Sequence, residues 1–203
     1  MKTKIFAFIV LSTLFTSCFV FEINDYKTID ATIYIKNQKD TIAVGDTIWF
    51  ESILEPTANL NNKEIDLTEL SIPFVIMIKQ FKGNNALDSF ESTIPTTSTF
   101  DFVPMFLKND AFFGTNSIYT AGIGGYFITK NDKLYAEIAF VAKDTGSFVF
   151  SAFSYDVLYK KFVNKKNYLK PNYSFLIENS HKLNSLVIED KSKLNLYYAV
   201  VVK

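Results

Sequence analysis

The sequence predicts an all-β fold, built as an antiparallel β-sandwich. Three observations carry that prediction. Apolar and polar residues alternate with a period of two in several runs, as a strand with one buried face requires. The runs are short and separated by turn residues, which is the spacing of sandwiches and barrels. Their residues are mostly β-branched or aromatic, and no long helical period interrupts them.

In chain order, Ala31, Ile33 and Ile35 alternate with Thr32, Tyr34 and Lys36. Asn37 to Asp40 reads as a turn, followed by a strand over Thr41-Ile42-Ala43-Val44, and Gly45-Asp46 breaks the chain again. Thr47 to Leu54 is the next strand, with Ile48 and Phe50 on one face and Trp49 and Ile53 on the other. Phe74 to Lys79 is almost continuously apolar, as in a strand covered on both faces. Leu134, Ala136, Ile138, Phe140 and Ala142 alternate with Tyr135, Glu137, Ala139, Val141 and Lys143. Asp144-Thr145-Gly146 turns the chain into Ser147 to Tyr155, with Phe148, Phe150 and Ala152 on one face. Asp156 to Val163 suits a short helix, and Leu183 to Asp190 and Leu194 to Val202 are closing strands. Residues 55–133 are long for a connection between core strands. They carry Pro56, Pro73, Pro95 and Pro104, a Thr/Ser cluster from Ser92 to Thr99, and an apolar knot from Phe102 to Phe113. They read as extra strands plus surface elaboration within a single domain over residues 30–203.

Two stretches resemble immunoglobulin-like domains. Val44-Gly45-Asp46-Thr47-Ile48-Trp49-Phe50 is similar to the entry into an early core strand. Asp144-Thr145-Gly146-Ser147-Phe148-Val149-Phe150 is similar to the Asp-x-Gly-x-Tyr turn into the late strand that faces it. Phe148 replaces the Tyr, so the tyrosine-corner hydrogen bond cannot form. The resemblance implies an immunoglobulin-like sandwich with a long elaborated insertion, and implies nothing about function.

The first residues speak of address. Lys2 and Lys4 precede an apolar run, Ile5 to Leu11, and small residues Thr16 and Ser17 precede Cys18. A charged start, a short apolar middle and small residues at the end make a secretory signal. The run is shorter than the roughly 20 apolar residues that cross a bilayer as a helix. Leu14-Phe15-Thr16-Ser17-Cys18 resembles the bacterial lipobox. That resemblance implies a signal peptide over residues 1–17, cleavage before Cys18, and a diacylglycerol thioether on Cys18. Residues 18–29 would then be a lipidated tether. The tether has no long Gly/Ser or Pro run, so the domain should sit close to the membrane. Phe19, Val20 and Phe21 suit either the lipid interface or packing on the domain. The whole chain is similar in general character to small outer-membrane lipoproteins of gliding and glycan-foraging Gram-negative bacteria. The periplasmic and the surface face both remain open.

Composition bounds the rest. A mature chain from Cys18 to Lys203 is one domain's worth and buries roughly 70% of its unfolded surface, enough for a core without disulfides. Without Lys2 and Lys4, 19 Lys face 21 acids, a net of −2. Nothing global steers the chain to nucleic acid. Every basic residue is Lys; there is no Arg. Arg is the preferred bidentate clamp for phosphate, so phosphate-clamping functions recede.

No catalytic motif emerges. The one histidine, His181, sits between Ser180 and Lys182 at the edge of an expected strand and reads as a surface loop residue. There is no His-Glu-x-x-His, Gly-x-Ser-x-Gly or Ser-x-x-Lys. Acidic residues abound, but no pair stands out for glycoside hydrolysis. Gly122-Ile123-Gly124-Gly125 lacks the Lys and helix of a phosphate loop and reads as a strand bulge or close backbone approach. Asn61-Asn62, Asn109-Asp110 and Asn131-Asp132 do not follow calcium-loop spacing and read as turns. No cofactor or metal is implied.

The strongest local feature is Tyr159 to Tyr173. Lys160, Lys161, Lys165, Lys166 and Lys170 interleave with Tyr159, Phe162, Tyr168 and Tyr173, with no acid among them. As a loop at one end of a sandwich, this stretch would meet anionic glycan, lipid headgroups or an envelope protein partner. The alternative is a solvated hairpin. Asp40-Thr41-Ile42 and Asp46-Thr47-Ile48 resemble the Asp-Thr-aliphatic acceptor of bacterial protein O-glycosylation, on Thr41 and Thr47. Asp before a strand is also ordinary turn chemistry. Three functions compete, in this order: a non-enzymatic binding module on the outer membrane, a periplasm-facing structural accessory of an envelope complex, and a carboxylate-dependent glycoside hydrolase. The last requires a concave site holding perturbed carboxylates.

Overall fold

The computed structural model describes residues 23–60, 62–81, 99–106, 108–114, 121–162, 165–178, 182–183 and 191–203. The expected signal segment, Cys18, His181 and most of the expected strand from Leu183 to Asp190 lie outside these. The first strands are β1 (Ile23–Lys36), β2 (Thr41–Ile42), β3 (Thr47–Leu54), β4 (Thr57–Leu60) and β5 (Lys63–Asp66). Then come β6 (Pro73–Phe81), β7 (Phe100–Phe106), β8 (Lys108–Gly114), β9 (Ala121–Tyr126) and β10 (Ile128–Lys130). The last are β11 (Lys133–Ala142), β12 (Gly146–Phe153), β13 (Val157–Phe162), β14 (Lys165–Phe175) and β15 (Tyr197–Val202).

They form two main sheets. One runs β10-β11-β3-β1-β14-β13, with β7 also paired to β11; the other runs β2-β15-β12-β6-β9-β8. Within them, β1-β3-β11-β7 reproduces the A-B-E-D order of an immunoglobulin-like sandwich, and β6-β12-β15 reproduces C-F-G. The sequence-based expectation of an all-β, immunoglobulin-like sandwich is met in this strand order. Two pairings, β1 with β14 and β2 with β15, are parallel.

The core lies between the sheets, and its pattern is the alternation visible in the sequence. In β3, Ile48, Phe50, Ser52 and Leu54 are buried, while Trp49 and Ile53 face outward. Phe50 stands at the centre. Its ring packs against Phe140 and Phe175 of its own sheet and Phe150 and Tyr198 of the other, at centroid distances of 5.8, 5.9, 5.1 and 6.1 Å. Each such aromatic pair adds about 0.5–1.5 kcal/mol beyond its buried area. Phe148, standing in place of the corner Tyr, is buried with its ring edge-on to Phe100 at 4.9 Å. The one buried inward hydroxyl of β3, on Ser52, donates to the Thr32 carbonyl at 2.9 Å.

Turn chemistry agrees with the residues. Asn131 and Asp132 both have positive φ, 51° and 57°, which a two-residue hairpin between β10 and β11 needs. Gly45 (φ 93°) lets its N–H reach the Ala142 carbonyl at 2.7 Å, tying the start of β3 to the end of β11. Gly124 marks a close backbone approach: a Cβ there would run into the Phe74 carbonyl.

Several expectations are corrected. Residues 55–133 are not one insertion, because they contain the core strands β6 and β7. Phe74, Val75, Ile76 and Ile78 of β6 are buried, so it is covered on both faces. Elaboration is instead spread over three places: the β4-β5 hairpin, the run β8-β9-β10, and the hairpin β13-β14. Asn109-Asp110 lies within β8 at a register shift against β9, not in a turn. Asp156–Val163 holds strand β13 instead of a helix. The strand expected over Thr41–Val44 is only Thr41–Ile42, and the closing strand starts at Tyr197 after a 3-10 turn, Lys191–Leu196. Residues 23–29, assigned to the tether, are already strand: Ile23 to Ile33 pairs with Lys165 to Phe175.

Candidate binding cleft and basic blade

The lysine-rich stretch is not a loop. It is the hairpin β13-β14, and β1 lies against it, so three strands make a blade at the edge of the first sheet. The period of two divides the expected site residues between its faces. Leu169, Tyr173 and Phe175 are buried, while Lys170 and Asn172 are exposed. Tyr173 is therefore a core residue: its hydroxyl donates to the Pro73 carbonyl, and burial pushes its pKa well above the ordinary phenol value. Tyr159 is half-buried and packs against the core. Tyr168 stays at the surface, stacked on its register partner Tyr26 with centroids 5.2 Å apart and planes within 15°. Lys160, Lys161 and Phe162 fall opposite Asn167, Lys166 and Lys165.

The stretch holds no acid in sequence, yet β1 brings two, Asp25 and Asp30. Asp25 lies 3.2 Å from Lys165 and 3.3 Å from Lys27. The hydrogen bond from Lys165, then that from Lys27, holds its carboxyl below the usual range. Farther along, the Asn172 side-chain amide donates to Asp30 at 2.9 Å.

Where the blade meets the second sheet, an open cleft of about 500 Å³ forms. β1 and β14 supply Thr28, Lys170 and Asn172; β6 supplies Met77 and Lys79. From the end of β12 come Ser151, Phe153 and Ser154, and from the start of β15, Leu196 and Tyr197. Phe153 is 38% exposed and is braced from behind by Tyr155, ring to ring at 4.6 Å. The Ser154 hydroxyl donates to the Pro171 carbonyl and closes the floor. The lining thus offers two ammonium groups, hydroxyls and an amide, and apolar surface; none of its described residues is acidic. Of the residues singled out in sequence, only Lys170 and Tyr173 belong to it. The others come from separate segments, and no local signal marks them.

Carboxylates meet elsewhere. Glu51 and Glu137 are directly opposed across β3 and β11, with Lys36 between them. Lys36 pairs with Glu137, and with Glu51 at 3.0 Å, beneath the ring of Trp49. The Glu137 hydrogen bond is the largest cause raising the Lys36 pKa above its ordinary value. Burial and a hydrogen bond to Glu51 push Tyr135 up to about 12. Neither glutamate lines the cleft. A second, smaller cleft beside Tyr126, Tyr155 and Leu158 has one acid, Asp156. A glycosidase site needs two carboxyl groups flanking a bound sugar, and the described residues of neither cleft supply them. Among the described residues no group of His, Cys, Asp and Glu is placed to hold a metal ion.

Thr41 and Thr47 are both exposed. Asp46 does turn work, accepting from the Ala43 N–H at 3.0 Å, while Asp40 accepts from the N–H of Leu183, far away in the chain, at 2.9 Å.

These features define an immunoglobulin-like β-sandwich with a basic cleft beside a blade that β1 forms with the added hairpin β13-β14. No family model and no curated protein matches the chain. Among solved structures, the reeler domain of human F-spondin is similar at 8% identity and a TM-score of 0.38, covering 92% of this chain and 99% of that one. A type II cohesin domain from the cellulosome of Acetivibrio cellulolyticus is similar at 10% identity and a TM-score of 0.28, covering 73% and 93%. A non-cellulosomal cohesin from Archaeoglobus fulgidus gives 8%, 0.26, 75% and 95%. Scores this low carry no argument; the fold assignment rests on strand order, register and the common core.

Proposed function

We propose that the protein is a lipid-anchored, non-enzymatic binding module of the bacterial outer membrane, and that its cleft takes an acidic glycan. The observation that carries the reading is the cleft lining. Lys79 and Lys170 complement carboxylate groups. Thr28, Ser151 and Asn172 match sugar hydroxyls, and Phe153 and Tyr197 present apolar surface to ring faces. The open form suits a polymer passing through better than a small molecule enclosed. Among the described residues the lining holds no carboxylate, which favours binding over hydrolysis. The anchor is the lipid on Cys18, as the lipobox-like segment implies.

The test is retention and turnover together. Immobilised full-length protein is challenged with acidic and neutral envelope polysaccharides, and the eluate is sized. The expected result is retention of acidic polymers with their chain length unchanged. Shortened chains would establish a hydrolase, and retention of neutral and acidic polymers alike would remove the role given to the lysines.

A further inference from the structure

The blade has a tip, and the tip is where the chain comes from. Ile23 is the first residue of β1 and pairs with Lys165, the first of β14; Phe162, the last of β13, also pairs with Lys165. The next row is Asn24, Lys166 and Lys161, and the next Asp25, Asn167 and Lys160. Residues 23–27 and 160–168 hold five Lys (27, 160, 161, 165 and 166) against one acid, Asp25, a formal charge of +4 in a chain that is neutral overall. The fourth row is apolar: Tyr26, Tyr168 and Leu158 lie side by side across the three strands, with Tyr26 52% and Leu158 44% exposed.

We infer that this tip is a membrane-apposed surface that takes the anionic headgroups of the leaflet holding the Cys18 lipid. The inference rests on the anchor proposed above. Only four residues lie between Cys18 and Ile23, a reach of at most about 17 Å over the five steps. A tether of that reach lets the first three rows stand at the headgroups. A basic cluster next to an anchor is attracted by anionic lipid, and the attraction acts within about a Debye length, roughly 8 Å at physiological salt. The Tyr26-Tyr168-Leu158 row lies three residues, about 10 Å, from the tip. Tyrosine is the residue type that settles at a membrane–water interface, its ring apolar and its hydroxyl wet. Lys39 and Lys143 lie toward the opposite end of the long strand β1, about 40 Å away at ~3.3 Å per residue. The tip orients the domain, which an acyl chain alone would leave free to tumble.

The experiment is amine labelling of the full-length protein, purified from its envelope and reconstituted into vesicles. One set is phosphatidylcholine alone; the other contains phosphatidylglycerol as well. Intact mass first reports whether Cys18 carries lipid. Labelling of each lysine is then read by peptide mass spectrometry. With lipid present, Lys160, Lys161, Lys165 and Lys166 should label about fivefold more slowly in the anionic vesicles, and the protection should vanish in roughly 0.5 M salt. Lys39 and Lys143 should label equally in both. Equal labelling of the tip lysines on a lipidated protein overturns the inference and leaves the anchor standing. A Cys18 without lipid overturns the anchor, and the inference falls with it.

Discussion

Replacing Lys36 by Ala should cost the fold about 2 kcal/mol. Glu51 and Glu137 sit directly opposite each other on antiparallel strands, where like charges destabilise. Lys36 is the cation between them, and its removal leaves a side chain 4% exposed, Glu137, charged and facing another carboxylate. Breaking a fully buried ion pair costs about 3–5 kcal/mol. Lys36 itself is 46% exposed, so water screens part of the loss, and roughly half that figure remains. For a chain of this size it corresponds to a fall of roughly 4–8 °C in Tm. Urea unfolding followed by Trp49 fluorescence is the assay: Trp49 is the single tryptophan, and its ring lies 5.7 Å from the Lys36 Nζ. Adding Glu137→Gln to the variant should restore part of the stability by removing the repulsion. The pH dependence has a definite sign. The folded pKa of Lys36 is raised, so its contribution is fully present below the ordinary lysine pKa of about 10.4 and is lost only as pH rises above it. The difference between wild type and variant should therefore be flat through neutral pH. A loss below about 0.5 kcal/mol, the usual worth of an exposed pair, would refute the claim that Lys36 neutralises a buried carboxylate.

Other outcomes follow from the packing. Gly124→Ala forces a Cβ against the Phe74 carbonyl in the neighbouring strand and should cost about 1–3 kcal/mol, read as a lowered Tm. Phe50→Ala empties the centre of the aromatic core and should cost about 3–5 kcal/mol in urea unfolding, more than the same change at half-exposed Phe153. Burial pushes Tyr198 up to about 12, and raises Tyr173 as well. Both stay protonated past the ordinary phenol pKa of about 10, and the stability tied to them is present below that value and lost as pH climbs through their folded pKa. Alkaline titration by ultraviolet absorbance should show these phenols ionising last, together with unfolding. Their ionisation alongside exposed tyrosines while the fold persists would contradict the burial.

The strands that could be read from sequence are those with one face in the core. β3 alternates cleanly because Phe50 points into the apolar layer while Trp49 points away; β11 and β12 put Ile138 and Phe150 into the same layer, with Glu137, Ala139 and Val149 of their other faces buried as well. The first half of β1 was hidden because Asn24, Asp25, Lys27 and Thr28 carry no apolar alternation. It is held as strand by backbone pairing to β14, a segment about 140 residues away in the chain. Lysine content masked β14 as well. Leu169, Tyr173 and Phe175 keep the period of two, but Pro171 reads against a strand, and here it falls where the Ser154 hydroxyl takes its carbonyl. β6 is legible as a strand, but chain distance says nothing about sheet order, so its place between β12 and β9 is not. The cleft had no local signature at all. Lys79, Ser151, Asn172 and Tyr197 are ordinary strand residues until β1 and β14 are laid across the end of the second sheet.

The proposal that the cleft recognises acidic polymer is tested most directly by one comparison. Retention of polygalacturonate is measured against its methyl ester, which keeps the sugar backbone and removes the charge, for the wild type and for Lys79→Ser with Lys170→Ser. The cleft reading predicts that the acidic polymer alone is held, and that the double variant releases it while unfolding as the wild type does. Equal retention by the folded double variant would contradict it.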